Sequence, residues 1–170
     1  HAIYLTKDYV TKGEDIFTGG REYYSHPNYK GDDKPGIIHQ SSATGMQAIP
    51  TTGIAQGIKF LETIQSDKFR KGTLGELPVV VCSLGDASVT EGEVSEAFQF
   101  AALHQLPIIY LVQDNGWGIS VTSEEARTTN ANEMVKGFKG IKRISIDGSD
   151  FLQSYDVMKN VIDEVRNERH

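Results

Sequence analysis

Apolar residues along this chain fall in two kinds of run. Val79-Val80-Val81-Cys82 and Ile108-Ile109-Tyr110-Leu111-Val112 are continuous. Runs of this kind, rich in β-branched residues, suit strands buried on both faces, as in a parallel sheet. Between them Val94, Ala97, Phe98, Ala101 and Ala102 recur at helical spacing. Thr90, with Glu93 three residues on, forms a capping box at the start of that helix. Glu91 and Glu93 add negative charge to its first turn, where the helix dipole favours it. Pro107 ends the crossover. The stretch predicts one β-α-β unit with parallel strands and a right-handed connection.

The rest of the chain is less regular. Residues 1–35 carry no clear period, and residues 36–170 read as an α/β core within a single domain. Pro50 suits the first turn of a helix. Ile54, Ile58 and Leu61 give that helix an apolar face, and Gly53 and Gly57 allow close packing. The polar, Thr-rich stretch from Val121 to Asn130 predicts a mobile loop, and Asn132 and Glu133 start a short helix. Ile141 to Ile146 predicts a third strand. Asp147-Gly148-Ser149-Asp150 then turns into a helix with Phe151, Tyr155, Met158, Ile162 and Val165 at spacings of three and four. Core packing accounts for that stripe. The chain starts mid-pattern and ends in a helix with no strand after it, so truncation at both ends is expected.

Composition narrows the function classes. A chain of 170 residues allows one domain with a proper core. A net charge of −6 argues against a nucleic-acid surface. No apolar run of 18 residues exists, so no membrane-spanning helix is expected. The single cysteine, Cys82, lies in a predicted strand and cannot form an internal disulfide. It fits packing in a reducing compartment.

The chemistry lies just past the two apolar runs. Asp86 follows the first and Asn115 the second, so parallel strands place both at one sheet edge, where open α/β sheets bind ligands. A carboxylate and an amide offer two hard oxygens, and Mg²⁺ takes six, some from water and substrate phosphates. Gly85, Ala87 and Ser88 are small and open a helix, so their amides can face a phosphate. A lone Gly-Asp is usually a turn in which Asp caps the next helix. A lone Asn-Gly is likewise usually a turn. The two together, 29 positions apart (115 − 86) and framed by two apolar runs, point instead to magnesium and a diphosphate.

Gly85-Asp86-Ala87 with Glu91-Gly92, followed by a helix and a strand ending at Asp114-Asn115, resembles the thiamine-diphosphate motif. The closer resemblance is to the α subunit of the 2-oxo acid dehydrogenases, the decarboxylating first component of the pyruvate and branched-chain complexes. It runs through Glu96-Ala97-Phe98-Gln99-Phe100-Ala101-Ala102, Leu106-Pro107-Ile108-Ile109 and Asn115-Gly116 with Ile119-Ser120. It covers residues 16–170. The resemblance implies a three-layer α/β fold with a mainly parallel sheet and helices on both faces, the thiamine-diphosphate-binding fold. It implies that Asp86, the Asn115 side chain and the backbone oxygen of Trp117 bind Mg²⁺, with Gly85, Ala87 and Ser88 beside the diphosphate. Ala87 replaces the motif's second glycine and Asp114 its first asparagine. Neither change removes a metal ligand, but Asp114 adds negative charge beside a diphosphate with no offsetting cation identified.

Further expectations rest on the same resemblance. His26, in the run Arg21-Glu22-Tyr23-Tyr24-Ser25-His26, lies near the active-site channel or is a surface histidine held by Pro27. Arg21 contacts an anion or pairs locally, and, apart from the resemblance, His39 beside the apolar pair Ile37-Ile38 reads as structural. Met46 and Gln47 support the cofactor's pyrimidine and bent shape, and Ser41, Ser42 and Gln47 are candidates for K⁺. The implied activity is decarboxylation of a 2-oxo acid and acylation of a lipoyl group. The implied partners are a β-type pyrimidine-binding domain or subunit, which supplies the activating glutamate, and the lipoyl domain of a dihydrolipoyl acyltransferase. A hetero-oligomer or fused-chain dimer follows, in a bacterial cytoplasm or a mitochondrial matrix. This chain alone would be inactive. The alternatives are a transketolase-like thiamine-diphosphate enzyme, a subunit-assembly domain, or a non-catalytic nucleotide-binding module, though no G-x-G-x-x-G supports the last.

Overall fold

The computed structural model describes residues 28–29, 35–38, 41–64 and 76–170. The chain divides into two units, His1–Ala43 and Thr44–His170. In the first, Tyr29 and Ile37 form an antiparallel bridge, with N···O distances of 2.7 and 2.9 Å. Ser41 Oγ accepts the Ala43 amide at 3.1 Å. His26, Arg21 and His39 lie outside the described residues.

The second unit is built on the β-α-β crossover. Helix α1 (Ala48–Ile64) precedes strand β1 (Val80–Gly85). A 3₁₀ turn (Ala87–Thr90) leads into α2 (Gly92–His104), which returns the chain to β2 (Ile108–Gln113). The two strands are parallel, in register from Val80 opposite Ile108 to Gly85 opposite Gln113. A short hairpin follows, β3 (Trp117–Gly118) against β4 (Val121–Thr122), then α3 (Ser123–Ala126) and α4 (Ala131–Met134). Helix α5 (Phe151–Glu168) ends the chain. No described helix is long and apolar enough to cross a membrane.

The core lies where α1 and α2 meet β1. Ala48, Cys82, Leu84, Val89, Val94, Ala97 and Phe98 form one buried cluster. Phe98 meets Tyr110 edge-to-face at 4.7 Å and Phe138 at 5.9 Å, a favoured aromatic geometry. A hydroxyl network threads this core. Thr52 Oγ1 donates to the Ala48 carbonyl at 2.7 Å and shares a hydrogen bond with Tyr110 Oη at 2.5 Å. Desolvation by burial pushes the Tyr110 phenol up to about 12. Lys59 Nζ donates to the last carbonyls of α2, those of His104 and Gln105, where a cation suits the helix end.

Several local expectations need correction. Thr90 makes no capping box: its backbone is already in the 3₁₀ turn, and its hydroxyl donates back to the Ala87 carbonyl at 2.8 Å. The capping box stands instead at Thr122 and Glu125, which opens α3 within the stretch expected to be a mobile loop. In α1 the buried stripe is Ala48, Thr52 and Ala55, and a Cβ added at Gly53 or Gly57 would meet nothing within 4 Å. Small side chains, not the glycines, bring this helix onto the core.

The strands are not buried on both faces. Cys82 and Leu84 are buried, while Val81, between them in the pleat, and Leu111 of β2 are exposed. Residues 141–146 form no strand, because no backbone among the described residues pairs with them. Side chains hold that segment instead, through Lys142 to Glu164 and Arg143 to Asn132 and Glu133. The stripe of α5 is buried only toward its C-terminus, at Val165. There Arg166 and Arg169 donate to the carbonyls of Leu77 and Pro78, and Arg169 pairs with Glu62. The described sheet is therefore a two-stranded parallel pair in an α/β unit.

Candidate functional site

The parallel register fixes the site. Gly85 ends β1 opposite Gln113, and the Asp86 amide donates to the Gln113 carbonyl at 3.3 Å. Asp86 and the Asp114-Asn115 pair thus leave the sheet side by side at the carboxyl ends of their strands. Gln47 reaches the same edge, since its Nε2 donates to the Ser83 carbonyl at 3.0 Å. Gly45 makes that approach possible. Its φ is +81°, and a Cβ there would lie 3.1 Å from Glu91 and Val94 side-chain atoms. Met46, beside it, is exposed.

Asp86 is 1% exposed. Its carboxylate does not cap the 3₁₀ turn that follows, so an ordinary capping role does not explain it. It reaches across to the segment after β2. Oδ2 accepts the Gly116 amide at 3.2 Å and the Arg127 Nη2 at 2.5 Å. Burial alone would raise the pKa of such a carboxyl. The hydrogen bond and charge of Arg127 outweigh it, the neighbouring Asp114 adds to this, and Asp86 stays below the ordinary carboxylate range.

Arg127 is the residue that sequence reasoning missed. It follows α3, its side chain is 7% exposed, and its Nη1 is buried without a hydrogen-bond partner. It supplies the cation that pairs with Asp86. A signal existed: Arg127 is the only Lys or Arg between Lys71 and Lys136, in a stretch dense with carboxylates.

The hairpin closes over the Asp86 turn. Asn115 Oδ1 accepts the Trp117 amide at 2.9 Å, and Ser123 N donates to the Gly116 carbonyl at 2.8 Å. Gly116, at φ +74°, permits the turn. Gly118 permits the closure, since a Cβ there would lie 2.9 Å from the Ala87 Cβ. Trp117 pairs with Thr122 and its side chain is half-exposed. Ser88 spends its hydroxyl on the Gly85 carbonyl at 2.6 Å. A Cβ on Gly85 would meet nothing nearer than Ser88 Oγ at 4.0 Å, so that backbone is open to a ligand.

The structure thus gathers Gln47, Gly85, Asp86, Ala87, Ser88, Asn115 and Trp117 at one edge. The donors are oxygens of mixed type, and no group of three or more His, Cys, Asp or Glu suited to a metal occurs among the described residues. Such a set suits a hard cation that completes its shell with water and phosphate oxygens. In this conformation Asp86 Oδ2 and Asn115 Oδ1 are both engaged by internal donors.

Comparison with known proteins gives a consistent result. The family described as Dehydrogenase E1 component matches residues 11–170. The chain is 39% identical over 85 residues to the pyruvate dehydrogenase E1 component subunit alpha of Rickettsia conorii, covering 49% of this chain and 26% of that protein. It is 40% identical over 87 residues to the 3-methyl-2-oxobutanoate dehydrogenase subunit alpha of Mycobacterium tuberculosis, covering 50% and 23%. Against the pyruvate dehydrogenase E1 component subunit alpha of Acholeplasma laidlawii it is 27% identical over 146 residues, covering 84% and 39%. The chain therefore spans well under half the length of these relatives.

Proposed function

The chain belongs to the dehydrogenase E1 component family, and from that premise we propose that its Asp86 edge anchors Mg²⁺ and the diphosphate of thiamine diphosphate. The observation that carries this reading is the parallel β1–β2 pair, which sets Asp86 beside the 114–117 segment. A buried carboxylate held ionised, with no capping role, also supports it. The donor chemistry fits. Asp86 offers a carboxylate oxygen, Asn115 an amide oxygen and Trp117 its carbonyl. Gly85 and Ala87 offer open or partly open backbone toward a phosphate.

The bound cofactor would supply an electron sink for decarboxylation of a 2-oxo acid. The residues of this chain would hold and orient it. Asp86 and Asn115 would hold the metal, which would supply positive charge against the diphosphate, so their role would be positioning rather than proton transfer. Met46 and Gln47 would line the cofactor beyond its diphosphate. The substrate class, a 2-oxo acid, follows the names borne by the relatives. The acyl acceptor would be a lipoyl domain, and a β-type partner would complete the site. The setting would be a bacterial cytoplasm or a mitochondrial matrix.

Calorimetric titration of thiamine diphosphate, with and without Mg²⁺, into the protein in its native assembly tests the reading. Asp86→Ala is expected to weaken metal-dependent binding by about a hundredfold or more, since even residues that only support a metal ligand are worth 10–100-fold. Binding indifferent to both metal and substitution would refute it.

A further inference from the structure

The Asp86–Arg127 pair does more than balance charge. Asp86 is 1% exposed, so no solvated cation reaches either of its oxygens in this conformation. Arg127 occupies Oδ2 at 2.5 Å, and Asn115 Oδ1 is turned back onto the Trp117 amide. Both side chains that the proposed metal site requires are therefore committed elsewhere, and they are committed together. Both locks lie on the continuous segment that follows β2. Ser123 is tied to Gly116, and the Arg127 amide donates to the Ser123 carbonyl at 2.8 Å.

Arg127 is also poorly satisfied where it sits. One of its two terminal nitrogens is buried without a partner. A buried donor left unmade costs free energy, and a buried ion pair recovers its desolvation cost only when the remaining donors are satisfied. The closed pair thus holds Asp86 through one guanidinium nitrogen and leaves the other unmade, so it is imperfect enough to be released.

We infer that Arg127 is an internal counter-cation that gates the Asp86 site: a divalent cation and the Arg127 guanidinium compete for the same carboxylate, and metal binding swings the 123–130 segment, which carries Arg127, outward. The inference rests on the metal reading of Asp86 given above. Competition of this kind lowers apparent metal affinity by the fraction of molecules in the open state. Removing the competitor raises affinity, which a merely structural arginine would not do.

The test is Mn²⁺ binding, followed by electron paramagnetic resonance in the presence of thiamine diphosphate, on the protein in its native assembly. Wild type, Arg127→Gln and Asp86→Ala are compared. Arg127→Gln is expected to tighten Mn²⁺ binding by about tenfold or more, as the closed fraction is removed, and to raise the melting-temperature gain on metal addition above that of wild type. Unchanged or weaker binding in Arg127→Gln, with Asp86→Ala still abolishing it, would overturn the gate and leave the metal site standing. Arg127 would then orient Asp86 rather than compete for it. Binding unaffected by Asp86→Ala would overturn both. Hydrogen exchange on the wild type provides a check without any variant. The Trp117 and Ser123 amides are expected to lose protection when Mn²⁺ and thiamine diphosphate are added, and unchanged protection would overturn the gate.

Discussion

The β1–α2–β2 crossover and helix α5 are each built from apolar residues at regular spacing, and they use them differently. In the crossover Phe98, Leu84 and Val94 are sealed from water. In α5 Phe151, Leu152 and Tyr155 are 75%, 72% and 58% exposed. The difference lies in the partner surface. Phe98 packs against Tyr110 and Phe138, and α1 closes the other side of α2. Helix α5 is held at its C-terminal end, by Arg166, Arg169 and the buried Val165. Its N-terminal half is a helix because Asp150 caps it, accepting the Gln153 amide at 3.0 Å, and because its sequence favours helix. Periodicity makes an element amphipathic, but only a facing surface makes it core.

Substitutions separate the two regions most widely at Phe98. Phe98→Ala removes a buried ring from the centre of the crossover and is expected to cost about 3–5 kcal/mol in denaturant unfolding. A cost near that of a surface residue would mean that the crossover is not the stable heart of the unit.

A second substitution probes how the crossover holds the hairpin that follows it. Gly118→Ala would place a Cβ 2.9 Å from the Ala87 Cβ, and neither atom is the end of a flexible side chain. We expect a loss of about 1–3 kcal/mol, the range for overpacking, together with weaker metal-dependent cofactor binding, because the hairpin must lift from the Asp86 turn. Full stability in Gly118→Ala would show that the hairpin rests only lightly on the crossover.

The same contrast explains what was legible in the sequence. The crossover could be read because its signals are local: two apolar runs, a helical stripe and Pro107. The closeness of Asp86 to the segment after β2 followed, since parallel strands bring their carboxyl ends together whatever the details. The strand expected at 141–146 is absent because a strand needs a neighbouring backbone, and no local pattern guarantees one. Ile144 and Ile146 alternate correctly and remain exposed. Thr90 and Glu93 have the right spacing for a capping box, but the 3₁₀ turn had already claimed Thr90. Arg127 is 41 residues from Asp86, and such a contact leaves no periodic trace. Only its isolation as a cation hinted at it.

The smallest expected effect completes the comparison. Tyr155→Ala in α5 gives up an exposed stacked pair with Phe151, whose ring centroids lie 6.5 Å apart. Pairs of this i, i+4 kind contribute about 0.2–0.5 kcal/mol to a helix. Alanine returns a similar amount through its higher helix propensity. The two terms nearly cancel, so unfolding of the chain should shift by less than about 0.5 kcal/mol, the usual range for an exposed position. The substitution carries a second reading when the protein is in its native assembly. If the loss there grows to about 2 kcal/mol or more, the size of a buried side chain truncated to alanine, another surface covers the Phe151–Tyr155 face. The difference between α5 and the crossover would then belong to the chain alone, not to the assembled protein. If the small value persists in the assembly, the exposed stripe is a lasting property of α5, and the stability of the unit rests on the crossover.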